Sequence, residues 1–176
     1  SLEILLEGCS GGGGRFDAGM LYYSPQIWCS DNTDAMNRLD IQYGTSFFYP
    51  ISSVGAHVSA CPNHQTGRSV PLSTRADVAL AGSFGYELDL RLLSDEEKAQ
   101  VKEQIKEFHD YYDLTHEGDY YRLTERDNTS FTAWEFVAKN KERALVEVVK
   151  KMHGAIRFLF MLQSRDSKTI QCMFAV

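Results

Sequence analysis

The sequence predicts an α/β protein: half of a (β/α)8 barrel followed by a partial antiparallel β domain. Three observations predict it. Over residues 1–117, short apolar runs alternate with polar or glycine-rich loops and with stretches of helical period, the texture of parallel βα units. Over residues 118–176, strand-like runs succeed one another with no helix between them. The first region also holds only about four strands and three or four helices, whereas a closed barrel takes ~250 residues.

The elements follow in order. Leu2, Ile4, Leu5 and Leu6 form an apolar run ending at Glu7 that reads as a buried strand entered midway. With no initiator Met and no basic leader before it, that opening suggests a piece of a longer polypeptide. Glycines 11–14 make a loop, and 26–29 reads as a second strand after Pro25. Asn32 or Thr33 is expected to cap the next helix, with Asp34 in its first turn, where the helix dipole favours a carboxylate. Met36, Leu39, Tyr43 and Phe47 recur at helical spacing, although Gly44 weakens the end of that pattern. A strand is expected over 56–60, a helix from Ser73 or Thr74 to Leu80, and a further strand over 86–90. The clearest helix starts at Ser94, which forms a capping box with Glu97. Its expected apolar stripe is Val101, Ile105, Phe108 and Tyr112, and Gly118 is its stop. Strand-like runs then fall at 120–124, 133–137, 144–149, 156–162 and 169–174.

Composition excludes several classes. Hydrophobic residues at 43% and charged residues at 24% match a packed globular chain rather than a disordered one. A net charge of -6 argues against a nucleic-acid partner or an anionic membrane, since both require a basic footprint. No apolar run reaches the ~18 residues of a membrane span. Cys9, Cys29, Cys61 and Cys172 are irregularly spaced, which favours free thiols in a reducing, cytoplasmic setting over a disulfide framework.

Most chemical motifs can be set aside. A dinucleotide loop would need glycine at 16 or 17, where Phe16 and Asp17 stand, and the P-loop Gly-Lys-Ser/Thr is absent. Cys9 and Arg15 have the Cys-x5-Arg spacing of phosphate-binding thiolate loops, but Gly8 and Phe16 are the wrong flanks. His57, Cys61 and His64 have metal-like spacing without a fourth ligand nearby, so a role in supporting a neighbouring loop is expected instead. No Gly-x-Ser-x-Gly elbow occurs. What remains is the segment Trp28-Cys29-Ser30-Asp31-Asn32-Thr33-Asp34, with two carboxylates on the loop after a strand. Asp34 suits a helix terminus. Asp31 is the candidate for acid/base work, which needs a carboxyl group whose environment raises its pKa.

The runs Cys9-Ser10-Gly11-Gly12-Gly13-Gly14-Arg15-Phe16-Asp17, Trp28 to Asp34, Tyr43-Gly44-Thr45, Pro62-Asn63-His64-Gln65 and Phe84-Gly85-Tyr86-Glu87-Leu88-Asp89 resemble the retaining α-galactosidases of glycoside hydrolase family 36. The resemblance is continuous from about Glu7 to Leu90 and weaker to about Val149. It implies that residues 1–117 are the C-terminal half of the catalytic barrel and 118–176 a C-terminal antiparallel β domain. It places the proton donor on Asp31 and galactose contacts on Cys9 and Gly12. It implies double displacement at α-galactosides such as melibiose and raffinose, without metal or cofactor, in a homo-oligomeric parent. Two departures accompany it. The family's nucleophile lies in a Trp-Asp-Met-Asn-type stretch that this chain lacks, and the pattern is lost after Val149. The chain alone is therefore expected to be inactive. The alternatives are an α-N-acetylgalactosaminidase or galactosyl transferase on the same scaffold, or a galactose-binding piece without turnover.

Overall fold

A computed structural model describes residues 4–9 and 17–151, with the backbone alone at 158–159 and 173–174. The chain begins with parallel βα organisation. Strand β1 (Glu7–Cys9) pairs with β2 (Gln26–Trp28), helix α1 (Ala35–Thr45) follows, and β3 (Gly55–Ser59) is joined to β2 by the parallel bridge Ile27↔Val54. Helix α2 (Leu72–Leu80) leads to β4 (Ser83–Glu87), parallel to β3 with Gly55 opposite Ser83. The 18-residue helix α3 (Asp95–Tyr112) comes next. It runs through a π-helical turn, Asp113–Glu117, into the antiparallel sheet β5 (Asp119–Arg122), β6 (Phe131–Val137) and β7 (Ala144–Lys150). Strands β8 (Phe158–Leu159) and β9 (Met173–Phe174) pair antiparallel; the remainder of the expected 156–162 and 169–174 runs lies outside the described residues.

Side-chain alternation sorts the parallel strands into two faces. Ala56 and Val58 of β3 pack with Leu72, Ala76, Ala79 and Val101 of the helices, with Phe84 and Tyr86 of β4 alongside. The opposite positions are Gly55, His57 and Ser59, aligned with Ser83, Gly85 and Glu87. On β1 and β2 that register gives Glu7 beside Gln26, hydrogen-bonded at 2.7 Å, and Cys9 beside Trp28. One face is thus apolar and helix-covered, and the other carries acids, amides and flat rings. The antiparallel sheet shares the helices' core: Trp134, Phe136, Leu145 and Val149 join Leu39, Val78, Tyr111 and Leu114 in one cluster.

Several expectations shift. Residues 4–6 are not a buried strand: Leu5 is 88% exposed and pairing starts only at Glu7. Their apolarity has no partner among the described residues. The expected 86–90 strand lies three residues earlier, because Ser83–Glu87 is the segment that β3 pins in register. Helix α2 begins at Leu72 after Pro71, not at Ser73 or Thr74. On α3 the capping box is present, but the buried residues are Val101, Gln104 and Tyr111. Ile105 and Tyr112 are exposed, and Gln104 is inside because it accepts a 2.7 Å hydrogen bond from the Tyr86 hydroxyl. Gly118 does end this helical stretch; a Cβ there would collide with the Leu114 carbonyl oxygen.

Candidate active site

Parallel strands leave the loops at their C-terminal ends on one rim, where βα proteins place their chemistry. Cys9 is the last residue of β1 and pairs with Trp28, the last residue of β2. Asp31 stands on the bend just beyond, exposed, and among the described residues its carboxylate has no hydrogen-bond or ion-pair partner. Cys9 and Asp31 are therefore on neighbouring strand ends. Gly12, the third candidate, lies outside the described residues.

The loop bearing Asp31 is held from both ends. Asn32 turns the chain: its amide donates to Ser30 Oγ at 3.2 Å, and its side-chain oxygen accepts from the Asp34 amide at 3.0 Å. The residue that caps α1 is Asp34, and neither Asn32 nor Thr33 does so; Asp34 Oδ1 accepts from the amides of Met36 (2.9 Å) and Asn37 (3.1 Å). Asp34 is 1% exposed and also receives Thr66 Oγ1 at 2.6 Å and the Arg68 guanidinium at 2.5 Å. Burial pushes this carboxyl up, but the Thr66 bond, the Asn37 and Met36 amides and the Arg68 charge together hold it below its ordinary value. Asp34 is thus an ionised cap.

The loop after β3 supplies that support. Asn63 Nδ2 donates to Thr33 Oγ1 at 2.9 Å, and Gln65 Oε1 accepts from the Thr33 amide at 3.2 Å. Loop support was expected here from His57, Cys61 and His64, but Asn63, Gln65, Thr66 and Arg68 provide it. His57 instead stacks on Trp28, with ring centroids 4.5 Å apart. No group of three or more potential ligands among the described residues could hold a metal. Cys9, Cys29 and Cys61 are free thiols.

Sequence reasoning missed Arg38. It is 3% exposed, donates to the carbonyls of Gly55 (2.6 Å) and Ser30 (3.3 Å), and lies 4.6 Å from the Trp28 ring centroid. Burial lowers its pKa, with Cys29 opposing. It therefore clamps the backbone next to Asp31. The signal was present: Ala35, Arg38, Leu39, Gln42 and Tyr43 form the buried stripe of α1, and two polar residues on such a stripe mark internal hydrogen-bonding work. A cleft of about 400 Å³ lined by Met36, Asp40, Arg68 and Lys151 flanks the N-terminal half of α1. At the rim, Asp31 presents a carboxylate that is unengaged among the described residues, on a loop held by hydrogen bonds, and Cys9 places a free thiol at the end of the adjoining strand.

The melibiase family profile matches residues 2–118. The chain belongs to the melibiase family. It is 63% identical over 166 residues to the bifunctional α-galactosidase/sucrose kinase AgaSK of Mediterraneibacter gnavus, covering 94% of this chain and 18% of that protein. It is 56% identical over 144 residues to the α-galactosidase AgaA of Geobacillus stearothermophilus, covering 82% of this chain and 20% of that protein. Among solved structures, the galactosidase domain of AgaSK superposes with a TM-score of 0.82 at 58% identity, over 92% of this chain and 23% of that one. A variant of AgaA in complex with raffinose gives 0.81 at 49% identity, again over 92% and 23%. The chain thus spans about a fifth of the length of these relatives. No helix among its described residues is long and apolar enough to cross a membrane.

Proposed function

We propose that this chain is the acid/base-bearing portion of a retaining α-galactosidase. Residues 1–117 are the C-terminal half of a (β/α)8 barrel, and residues 118–176 belong to a C-terminal antiparallel β domain. Asp31 is the proton donor. It protonates the glycosidic oxygen while a nucleophilic carboxylate attacks the anomeric carbon, then deprotonates the water that releases galactose. In the assembled site the two carboxyl groups lie about 5–5.5 Å apart. Cys9 and Gly12 contact the galactose. The nucleophile is contributed from outside these 176 residues.

The observation that carries the reading is the position of Asp31: exposed, unengaged among the described residues and just past a parallel strand's C-terminus, while Asp34 beside it is used up as a cap. Melibiase membership and an AgaA variant bound to raffinose support the substrate class, terminal α-galactosides of the melibiose and raffinose type. The purified chain is expected to leave a nitrophenyl α-galactoside intact. Turnover by the chain alone, abolished by Asp31→Asn, would refute the claim that the nucleophile lies elsewhere.

A further inference from the structure

We propose that His57 is a positioning residue for Asp31, acting through the ring of Trp28; this rests on the assignment of Asp31 as proton donor. A row of side chains crosses four elements, α1, β2, β3 and β4, next to the candidate site. The Arg38 guanidinium carbon lies 4.6 Å from the centre of the Trp28 ring. The His57 imidazole stacks on Trp28 at 4.5 Å with 14° between the planes. Glu87 Oε2 of β4 stands 3.7 Å from His57 Nδ1, beyond hydrogen-bond reach.

The row is built into the strands. A Cβ on Gly55 would come within 3.2 Å of Trp28 Cε3 and 3.1 Å of the Ile27 carbonyl oxygen, so the glycine makes room for the indole. Gly85 stands opposite His57 in register, and a Cβ there would already touch the imidazole at 3.4 Å, so any longer side chain would displace it. His57 Nδ1 is buried and makes no hydrogen bond among the described residues, so apart from the Glu87 carboxylate at 3.7 Å the imidazole is placed by its stacking on Trp28. Its neighbour Trp28 ends β2, and Arg38 touches both the indole and the Ser30 carbonyl that precedes Asp31. Loss of the flat ring at 57 frees the indole, loosens Arg38 and lets the Ser30–Asp31 turn drift. A displacement of about 1 Å at a catalytic group is enough to cost ~100-fold in rate.

Two measurements test this. The chain has two tryptophans, so 5-fluorotryptophan labelling yields two 19F resonances, with Trp28→Phe assigning one of them. His57→Ala should give the Trp28 resonance a solvent-isotope shift in D2O, and His57→Phe, which keeps a flat ring, should not. For catalysis, residues 4–151 replace the matching stretch of Geobacillus AgaA, and hydrolysis of melibiose is measured. His57→Ala should lower kcat about 10- to 100-fold with KM within about two-fold, and His57→Phe should restore kcat to within about three-fold. His57→Leu replaces His57→Ala if circular dichroism shows the alanine variant unfolded. An inactive parent chimera, or one indifferent to Asp31→Asn, refutes the assignment of Asp31, and the fluorine signals then still decide whether His57 holds Trp28. An active, Asp31-dependent chimera with unchanged kcat in His57→Ala, a Phe variant as impaired as the Ala variant, or an unmoved Trp28 resonance each overturns the role of His57.

Discussion

The two consecutive βα connections after β2 and β3 share a device and use it for different ends. In each, an arginine on the first turn of the following helix is buried and folds back onto backbone carbonyls. Arg38 of α1 reaches Ser30 and Gly55, and Arg75 of α2 reaches Ser59 at 2.5 Å and Val70 at 3.0 Å. The guanidinium fork suits this work, since it can satisfy two carbonyls from one planar group. Beyond that the connections diverge. After β2 the loop is short, the helix is capped by Asp34, and Asp31 is left unengaged. After β3 the loop is longer, its helix starts at Leu72 behind Pro71 without a side-chain cap, and Asn63, Gln65, Thr66 and Arg68 are committed to the β2 loop. One connection presents a functional group, and its neighbour holds that connection still.

The comparison can be broken at graded points. Arg38→Ala leaves the buried Gly55 carbonyl and the half-buried Ser30 carbonyl without their donor and should cost about 2–4 kcal/mol in a urea unfolding midpoint analysis. In the AgaA chimera it should also depress kcat, whereas Arg75→Ala should cost similar stability with a much smaller loss of kcat. Equal kcat losses would erase the distinction between the connections. Asp34→Asn keeps a competent cap but removes the charge facing Arg68, for about 1–2 kcal/mol at neutral pH. The folded pKa of Asp34 lies below its unfolded value, so this contribution is fully present above the unfolded carboxylate value of about 3.9 and is lost as pH falls through the folded one. The stability gap between wild type and Asp34→Asn should therefore close in acid, and a gap constant to pH 2 would contradict the ion pair. Asn63→Ala, which removes one cross-loop bond to Thr33, should cost about 1 kcal/mol in the same denaturation assay. Ser94→Ala, outside the comparison, should cost about 1 kcal/mol through the capping box and leave chimera kcat unchanged.

These effects also separate what the sequence displays from what it hides. The capping box at Ser94 and Glu97 is legible because all its partners lie within one helical turn. The loop carrying Asp31 is legible because a strand ends and a helix begins on either side of it. The start of β4 at Ser83 is not, since Ser83 and Gly85 have little strand propensity of their own and are ordered by pairing with β3. Nor is the exposure of residues 4–6, because an apolar run announces a need for cover without naming what provides it. Arg38 is half-legible for a related reason: its place on the stripe of Ala35, Leu39 and Tyr43 points inward, but a charged residue within a helical pattern normally faces water, and its partners Trp28 and Ser30 come to it only through the fold.

The central claim is that Asp31 moves the proton. The most direct test compares the active AgaA chimera with its Asp31→Asn variant on two substrates, in the presence and absence of azide. A proton donor matters most for a poor leaving group. The variant should therefore lose far more of its first-step rate on raffinose than on an activated nitrophenyl α-galactoside. Azide, which needs no base to attack, should accelerate release of the galactosyl intermediate. Equal losses on both substrates with no response to azide would contradict the assignment.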